Sequence, residues 1–518
     1  MSLITSPATS NRVVRDFALR TQTAGQDAFT PAPAQNDNGD EALYADKSGT
    51  YTKGILQTDV GLVDLAAYQT FKKALSNGDP ADFEAITLGG TRTLNGPQGG
   101  LAFDLECLDS SQFQVPPAPA LASEEYATEL VELYWASLLR DVAFTEYVSS
   151  LVAVQAANEL SSMPSYQGPR DSSKKVTPNL LFRGDFLGET VGPYISQLII
   201  QDTGMGALPL IQKYTTAKKG VDFMKDSTTF LQVQNGIPTG LQLTPDLPVF
   251  LHDGRGLGAY THVDVLYQAY FTAYLVLNTI NGNNPAPLNP GNPYLGSKTQ
   301  NGFGTMGQPD IAATLTAVAS EALKAVWYQK WFVHLRHRPE SGGAIVDLIK
   351  TGKGNTIQGQ VSQTVLNSQA LQSSFANNQS FFLSQAFPEG SPTHPAYPTG
   401  HGTVAGACIT IIKFFFDGDF VIPNPKMPSA DGMTLHNYTG DDAGQMTVNG
   451  ELHKLAHNIS FGHGIHAGIH WRSDTDTSIQ LGEAIALSFL QDRAHTYNEK
   501  FTVKLKKLDG SIATITNQ

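Results

Sequence analysis

Residues 310–339, DIAATLTAVASEALKAVWYQKWFVHLRHRP, decide how this chain is read. The stretch is Ala-rich and apolar at helical spacing, and Asp310 opens it. The helix is expected to run to about His337, because the residue before Pro339 is pushed out of helical conformation. Outward from it, Ser123 is placed to cap a helix with Tyr126, Leu130, Leu133 and Leu138 at helical spacing. Further helices are expected over 141–162, 188–202, 262–279, 402–416, 448–467 and 474–495; that over 262–279 carries Val263, Leu266, Tyr270, Ala273 and Leu277 on one stripe. Strand signals are few and short, one of them between Thr87 and Asp109, and there is no internal repeat and no sustained heptad. The resulting class is mainly α: helical bundles joined by long irregular connections, of which 278–310 is long enough to be functional or to meet another subunit.

The chain has 518 residues, 41% hydrophobic, enough for a large core. Its 34 basic and 47 acidic residues give a net charge of −13, which argues against nucleic acid or anionic lipid as partners. Any anion site must be a local basic pocket in an acidic protein. Cys107 and Cys408 are the only cysteines, so there is no disulfide framework; Cys408 lies in the apolar run VAGACITII and reads as a buried thiol, with one disulfide between the two left open. The N-terminus, MSLITSPATSNRVVRDFALRTQ, lacks the apolar core of a secretory signal. No stretch approaches the roughly 20 apolar residues of a membrane span. A soluble protein is expected, exported only if a leader has been removed. Residues 24–55 are rich in Gly, Pro, Asn and Asp, so 1–55 read as an N-terminal arm with a polar linker. Residues 56–518 then form a single helical catalytic domain, with its site built from 327–339, 394–402 and 463–474.

Three short segments carry the chemistry. Lys330 and Arg338 bracket the end of the long helix, and a bidentate guanidinium beside a point-charge ammonium clamps an oxyanion well. Taken alone, the two would be no more than cations offsetting a helix dipole. In HPAYPTGHGTVAGAC, residues 394–408, Thr399 and Gly400 form a turn into an apolar helix whose first amides can meet an anion, with His401 beside it for acid/base work. The bland alternative is a capped helix followed by a surface histidine. Eight of the 13 histidines fall between His394 and His470. His463, His466 and His470 share a helical face, as do His453 and His457, yet HKLAH lacks the glutamate of a zinc-binding HExxH motif. Most of these histidines are expected to be surface or packing residues. His470 differs from the others because Asp474, four residues on, can orient its ring and leave one nitrogen free for a metal or an electrophile; Asp474 or Ser473 can equally cap the next helix.

In this order, Lys…Arg-Pro, Pro-Thr-Gly-His and His…Asp resemble the superfamily of vanadium-dependent haloperoxidases and type 2 phosphatidic-acid phosphatases, and most nearly the bromoperoxidases. TRTLNGPQGGLAFDLE (91–106), LFRGDFLGETVGPYISQLI (181–199), VWYQKWFVHLRHRPE (326–340) and HPAYPTGHGTVAGAC are similar to that family as well, so the likeness spans roughly residues 90–490. The resemblance implies vanadate as cofactor, with His470 on vanadium, Lys330 and Arg338 neutralising its oxygens, and Thr399 and the Gly400 amide donating to them. His401 would be the acid/base group, Asp474 the group that orients His470, and His394 and Trp327 a halide-handling histidine and a bordering aromatic. Lys330, His401 and His470 would be the catalytic set. The implied partners are hydrogen peroxide, a halide (bromide foremost) and small organic nucleophiles, in a homo-oligomer of two or more chains. Some relatives carry a structural calcium ion, for which the sequence offers no ligand set. The implied chemistry is two-electron oxidation of halide to hypohalous acid, which halogenates organic compounds, with vanadium a Lewis acid of constant oxidation state.

Two positions depart from the family pattern. Thr399 stands where serine is usual, which keeps the hydroxyl and stiffens χ1. The arginine expected six residues before His470 is Gly464, with His463 preceding it; one inserted residue would bring His463 into the arginine's place. His463, or less readily His466, is expected to supply a hydrogen bond there. Losing the charge-assisted pair would cost roughly 1.5–3 kcal/mol of anion binding, about one to two orders of magnitude in affinity. Two other readings compete: an acid phosphatase on the same scaffold with His470 as phosphohistidine nucleophile, and a non-catalytic homologue whose site binds vanadate poorly.

Overall fold

The computed structural model describes residues 11–518 except 283, 355, 356 and 358; residues 1–10 of the expected arm lie outside the described residues. Eight helices frame the site and its surroundings: α1 (Arg12–Phe29), α2 (Glu124–Leu139), α3 (Gly254–His262), α4 (Gln308–Tyr328), α5 (Pro339–Lys350), α6 (Gly400–Phe415), α7 (Val448–Phe461) and α8 (Arg472–Ala494). Among the described residues the strands form four short two-stranded antiparallel pairs, the last of which packs Val503, Leu505 and Ile515 into the main core. The fold is the mainly α one expected.

At the centre, α6 lies between α4 and α8. All 16 residues of α6 are buried, which is why its sequence is apolar on every side. α4 turns Ile311, Leu315, Val318, Ala322 and Ala325 inward, alternately four and three residues apart. The contact between α6 and α8 is backbone against backbone. A Cβ on Gly406 would sit 1.9 Å from the Ile479 carbonyl oxygen, and one on Gly482 2.0 Å from that of Thr403, so only glycine permits the approach. This packing fixes the N-termini of α6 and α8 side by side. Within α6, Lys413 is buried and its ammonium donates to His453 Nε2 at 2.7 Å, with Glu483 3.9 Å away.

Several boundaries differ from those expected. Residues 188–202 hold only a 3-10 turn at Gln197–Ile199, because Gly188 and Gly192 adopt positive φ and Pro193 follows. The segment 141–162 is helical only over Leu151–Ser162, after a 3-10 turn at Phe144–Glu146. The segment 262–279 is two helices, α3 and Gln268–Leu277, with a break at 263–267 that frees Asp264 from helical geometry. α4 is followed by a π turn at Gln329–His334 and ends on Leu335 at φ 45, and α7 runs into a second π turn at Gly462–His466. Among the described residues no strand forms between Thr87 and Asp109; Leu88 makes an isolated bridge to Ile55, and Pro97–Leu101 is a 3-10 turn.

The stretch 24–55 is not uniformly a linker. α1 reaches Phe29, and at the far end Tyr51, Lys53 and Ile55 are buried. Tyr51 packs edge-on to Trp331 at 5.5 Å, and Lys53 is ion-paired with Glu340 at 2.6 Å. Tyr51 and Ile55 join a second core cluster with Tyr68 and Phe71, and their turn-rich surroundings gave no sign of it. Cys107 and Cys408 are both buried and free. Among the described residues no helix is long and apolar enough to cross a membrane.

Candidate functional site

The segments 327–339, 394–402 and 463–474 meet at one place, where four helix ends converge. Lys330 lies in the π turn after α4 and donates to the carbonyls of Pro395 and Ala396, both at 2.8 Å. Arg338, just before α5, donates to the carbonyls of His394 and Ile469 at 2.9 Å and to His470 Nε2 at 2.8 Å. Its remaining nitrogen lies 3.0 Å from His394 Nδ1. The Thr399 amide at the head of α6 donates to the Asp474 carbonyl in α8 at 3.1 Å.

Proton positions on His470 follow from these contacts. A guanidinium can only donate, so His470 Nε2 is an acceptor and its proton sits on Nδ1. Nδ1 faces Asp474 Oδ2 at 3.0 Å, and the same oxygen accepts the Trp471 amide at 3.0 Å. The other oxygen accepts from Arg336 at 2.6 Å, and Arg336 also binds Glu129 at 2.8 Å. Asp474 is therefore anchored from three directions and presents a rigid imidazole whose Nε2 lone pair points at the cations.

The electrostatics ask for an anion. Lys330 and Arg338 are fully buried, and their partners are carbonyls and imidazoles with no carboxylate among them. Burial, and then the neighbouring Arg338, push the Lys330 ammonium well below its usual range; burial lowers Arg338 to about 10. Burial and then Arg338 and Lys330 hold His470 and His394 neutral. Thr399 occupies the N-cap position of α6, yet its hydroxyl caps nothing and is buried with no hydrogen-bond partner among the described residues. Next to it are the first-turn amides of α6, which have no intrahelical acceptor. Two buried cations, an unpartnered hydroxyl and a helix N-terminus around one imidazole lone pair fit a tetrahedral or five-coordinate oxyanion carrying a metal that takes nitrogen. A cation would meet only repulsion there.

His401 is on the rim. Its Nε2 lies 2.8 Å from Asp264 Oδ1, and its ring stacks on His463 with centroids 3.7 Å apart. His463 in turn lies 5.7 Å from the His470 ring. Burial, then His401, His470 and Arg338, hold it neutral; its Nδ1 is buried with no hydrogen-bond partner among the described residues. His466 points the other way: its Nε2 meets the Tyr194 hydroxyl at 2.9 Å between Phe144 and Phe182, so the secondary expectation for it is corrected. His394 packs on Trp327 at 4.8 Å, and the Trp327 indole donates to the Asn95 carbonyl at 3.0 Å. Gly400 is tight against Trp327, 3.3 Å from where a Cβ would be.

Two residues of the site escaped the sequence reading. Asp264 sits in a stretch whose apolar spacing continued across it, and nothing local marked it as the partner of His401. Arg336 had a signal, since it alternates with Arg338 in LRHRP, but only its burial between Glu129 and Asp474 shows its use. His453 and His457 are the packing residues expected: His453 bonds Lys413, and His457 lies between Glu189 and Asp476, 2.8 Å from each.

Comparison with known proteins gives consistent results. Residues 310–499 match a family model described as the VCPO second helical-bundle domain. The sequence is 32% identical to a vanadium-dependent bromoperoxidase of Corallina officinalis, over 92% of this chain and 94% of that one. It is 31% identical to a vanadium-dependent bromoperoxidase of Ascophyllum nodosum, over 96% and 91%. The fold superposes on the homohexameric structure of the second vanadate-dependent bromoperoxidase of Ascophyllum nodosum with a TM-score of 0.92, 26% identity and coverage of 99% of this chain and 92% of that one.

Proposed function

Because the chain belongs to the vanadium-dependent bromoperoxidase family, we propose that it is a haloperoxidase that uses vanadate to oxidise halide, bromide foremost, with hydrogen peroxide. The balance is hydrogen peroxide, halide and one proton to hypohalous acid and water, and the hypohalous acid halogenates small organic nucleophiles. The observation that carries this reading is the cradle itself: Lys330 and Arg338 buried without a carboxylate, and the unpartnered Thr399 hydroxyl, around the Nε2 lone pair of His470.

Vanadate bound there supplies a Lewis-acid centre that polarises peroxide. The chain's own residues do the rest. His470 offers Nε2 to vanadium, and Asp474 keeps the proton on Nδ1. Lys330 and Arg338 neutralise oxygen charge, and Thr399 Oγ1 and the Gly400 amide donate to it. With Nε2 of His401 turned to Asp264, Nδ1 is the nitrogen left to take a proton from peroxide and return one to departing water. His394 and Trp327 border the site where halide approaches.

His463 stands in for the arginine that the family carries six residues before its vanadium-binding histidine. The π turn at Gly462–His466 accommodates one extra residue, which supports the shifted register. A neutral imidazole gives one N–H where a guanidinium gives two charged ones. Vanadate binding is therefore weaker than in an arginine-bearing relative by about one to two orders of magnitude.

The homohexameric neighbour supports a homo-oligomer, and the single catalytic domain reaches at least from Tyr51 to the end of α8. For calcium no ligand set is proposed; among the described residues no group of three or more His, Cys, Asp or Glu side chains is arranged to hold a metal ion.

One experiment tests the whole reading. Purified protein is given bromide, peroxide and a phenolic dye with and without vanadate, beside a phosphatase assay without vanadate. Vanadate-dependent bromination is expected. Phosphatase activity alone, or neither activity under saturating vanadate, overturns the proposal.

A further inference from the structure

The cradle depends on Arg338 having no carboxylate of its own, yet a carboxylate lies two residues along the chain. Glu340 is the second residue of α5, and it is buried. Burial lowers Arg338, and among the neighbours that oppose this Tyr51 comes first and Glu340 next. Glu340 is therefore within electrostatic reach of Arg338. A buried carboxylate left unpaired there would draw the charge of the guanidinium away from any anion.

What occupies Glu340 instead is Lys53, from the stretch that reads as a linker. Its buried ammonium donates to Glu340 Oε1 at 2.6 Å, to the Glu389 and Ser391 carbonyls at 2.8 and 2.6 Å, and to Ser391 Oγ at 3.2 Å. The carboxylate also accepts from Gln234 Nε2 at 2.8 Å, the Ser391 amide at 2.7 Å and the Ser391 hydroxyl at 2.9 Å. Gly390 makes room for it: the residue is at φ 61, and a Cβ there would sit 2.3 Å from Glu340 Oε2. Three residues after Ser391, the same loop presents the His394 carbonyl that accepts from Arg338. Lys53 reaches this depth because its own stretch is fastened to the segment that carries Arg338. The Thr50 hydroxyl and the Tyr51 amide donate to the Leu335 carbonyl at 3.0 and 2.7 Å, and the Ser48 carbonyl lies 2.9 Å from His337 Nδ1.

Resting on the haloperoxidase reading, we propose that Lys53 is a positioning residue of the anion cradle: it neutralises Glu340 and so leaves the charge of Arg338 to the bound oxyanion. The role is one of charge, which separates it from that of a strut. A strut fails when either partner is changed. A charge effect has a sign: loss of the ammonium weakens anion binding, loss of the carboxylate does not, and loss of both restores the balance.

The test is calorimetric titration of the full chain, freed of vanadate, with vanadate and separately with inorganic phosphate. Lys53→Met is expected to weaken vanadate binding by about tenfold or more. Glu340→Gln keeps the volume of the side chain and is expected to bind vanadate as tightly as the wild type or more tightly. The double variant is expected to return to within about threefold of the wild type. A folded Lys53→Met that binds within about twofold of the wild type overturns the proposal. So does a loss in Glu340→Gln equal to that in Lys53→Met, which is the mark of a strut. If Lys53→Met does not fold, Glu340→Gln decides alone, and weaker vanadate binding than in the wild type overturns the proposal. Wild type that takes up phosphate but no vanadate sinks the haloperoxidase reading, and the order of the variants on phosphate then still decides the role of Lys53.

Discussion

Arg338 donates to two carbonyls and to imidazole nitrogen but to no carboxylate, and a buried charge so placed is stable only because an anion can complete it. Thr399 gives the cleanest single-residue test of that idea. Its hydroxyl has no partner among the described residues, so Thr399→Ala should leave the melting temperature without vanadate unchanged or slightly higher. The same variant should weaken vanadate binding by about tenfold or more, read by vanadium NMR or calorimetry. A large loss of stability with unaltered affinity would show the hydroxyl to be structural. His457 offers a contrasting case. Burial alone would lower it, but Glu189 and Asp476 raise it to about 9, above its ordinary 6.5. Its contribution is thus complete below pH 6.5 and disappears as pH climbs through 9, on the order of 3 kcal/mol in all. Urea midpoints of wild type and His457→Gln should converge over that interval, and a constant gap would refute the assignment. Lys330, Arg338, Thr399, Gly400, His401, His470 and Asp474 could be singled out in the sequence only through the order of their motifs, since each segment alone has a bland reading. Asp264 could not, since its partner is 137 residues away and a carboxylate in a loop carries no mark of whom it meets.

Among elements, the two π turns are the informative ones. Both α4 and α7 lose regular geometry just where they enter the site, at Gln329–His334 and Gly462–His466. A π turn absorbs one extra residue and rotates the residues after it by about a third of a turn. That rotation aims Lys330 at the 395–396 carbonyls and turns His463 towards His401, while His466 faces the core. Periodicity could place long helices such as α2, α6 and α8, whose apolar positions recur without interruption. It could not see a one-residue insertion or the break at 263–267, because neither disturbs composition. The shifted register can be checked directly. His463→Arg combined with deletion of Gly464 places an arginine six residues before His470, and should tighten vanadate binding by about one order of magnitude or more. Gly464→Arg should not, since a Cβ there lies 3.1 Å from that of His470 and must displace it. Tighter binding from Gly464→Arg alone would mean that the π turn has no part in the substitution.

Across the whole molecule, charge is divided between surface and interior. The chain carries a net −13, yet the cations that matter are buried beside the helix ends. The overall class was legible because burial on all sides of α6 and one-sided burial of α4 leave different patterns; the burial of Tyr51 and Lys53 against the second core cluster was not, since polar neighbours masked them. The opposite situation holds at α1. Not one of its 18 residues is buried, and Val13, Val14 and Phe17 are 81%, 64% and 70% exposed. A helix so little covered is marginal in water. In the homo-oligomer proposed above, that cover would be another copy of the chain. Helicity at the N-terminus then becomes a matter of mass action: serial dilution should melt residues 12–29 while α4, α6 and α8 stay folded. Amide exchange followed against protein concentration would read this as a protection that only α1 loses, and protection that ignores dilution would show the helix to stand alone.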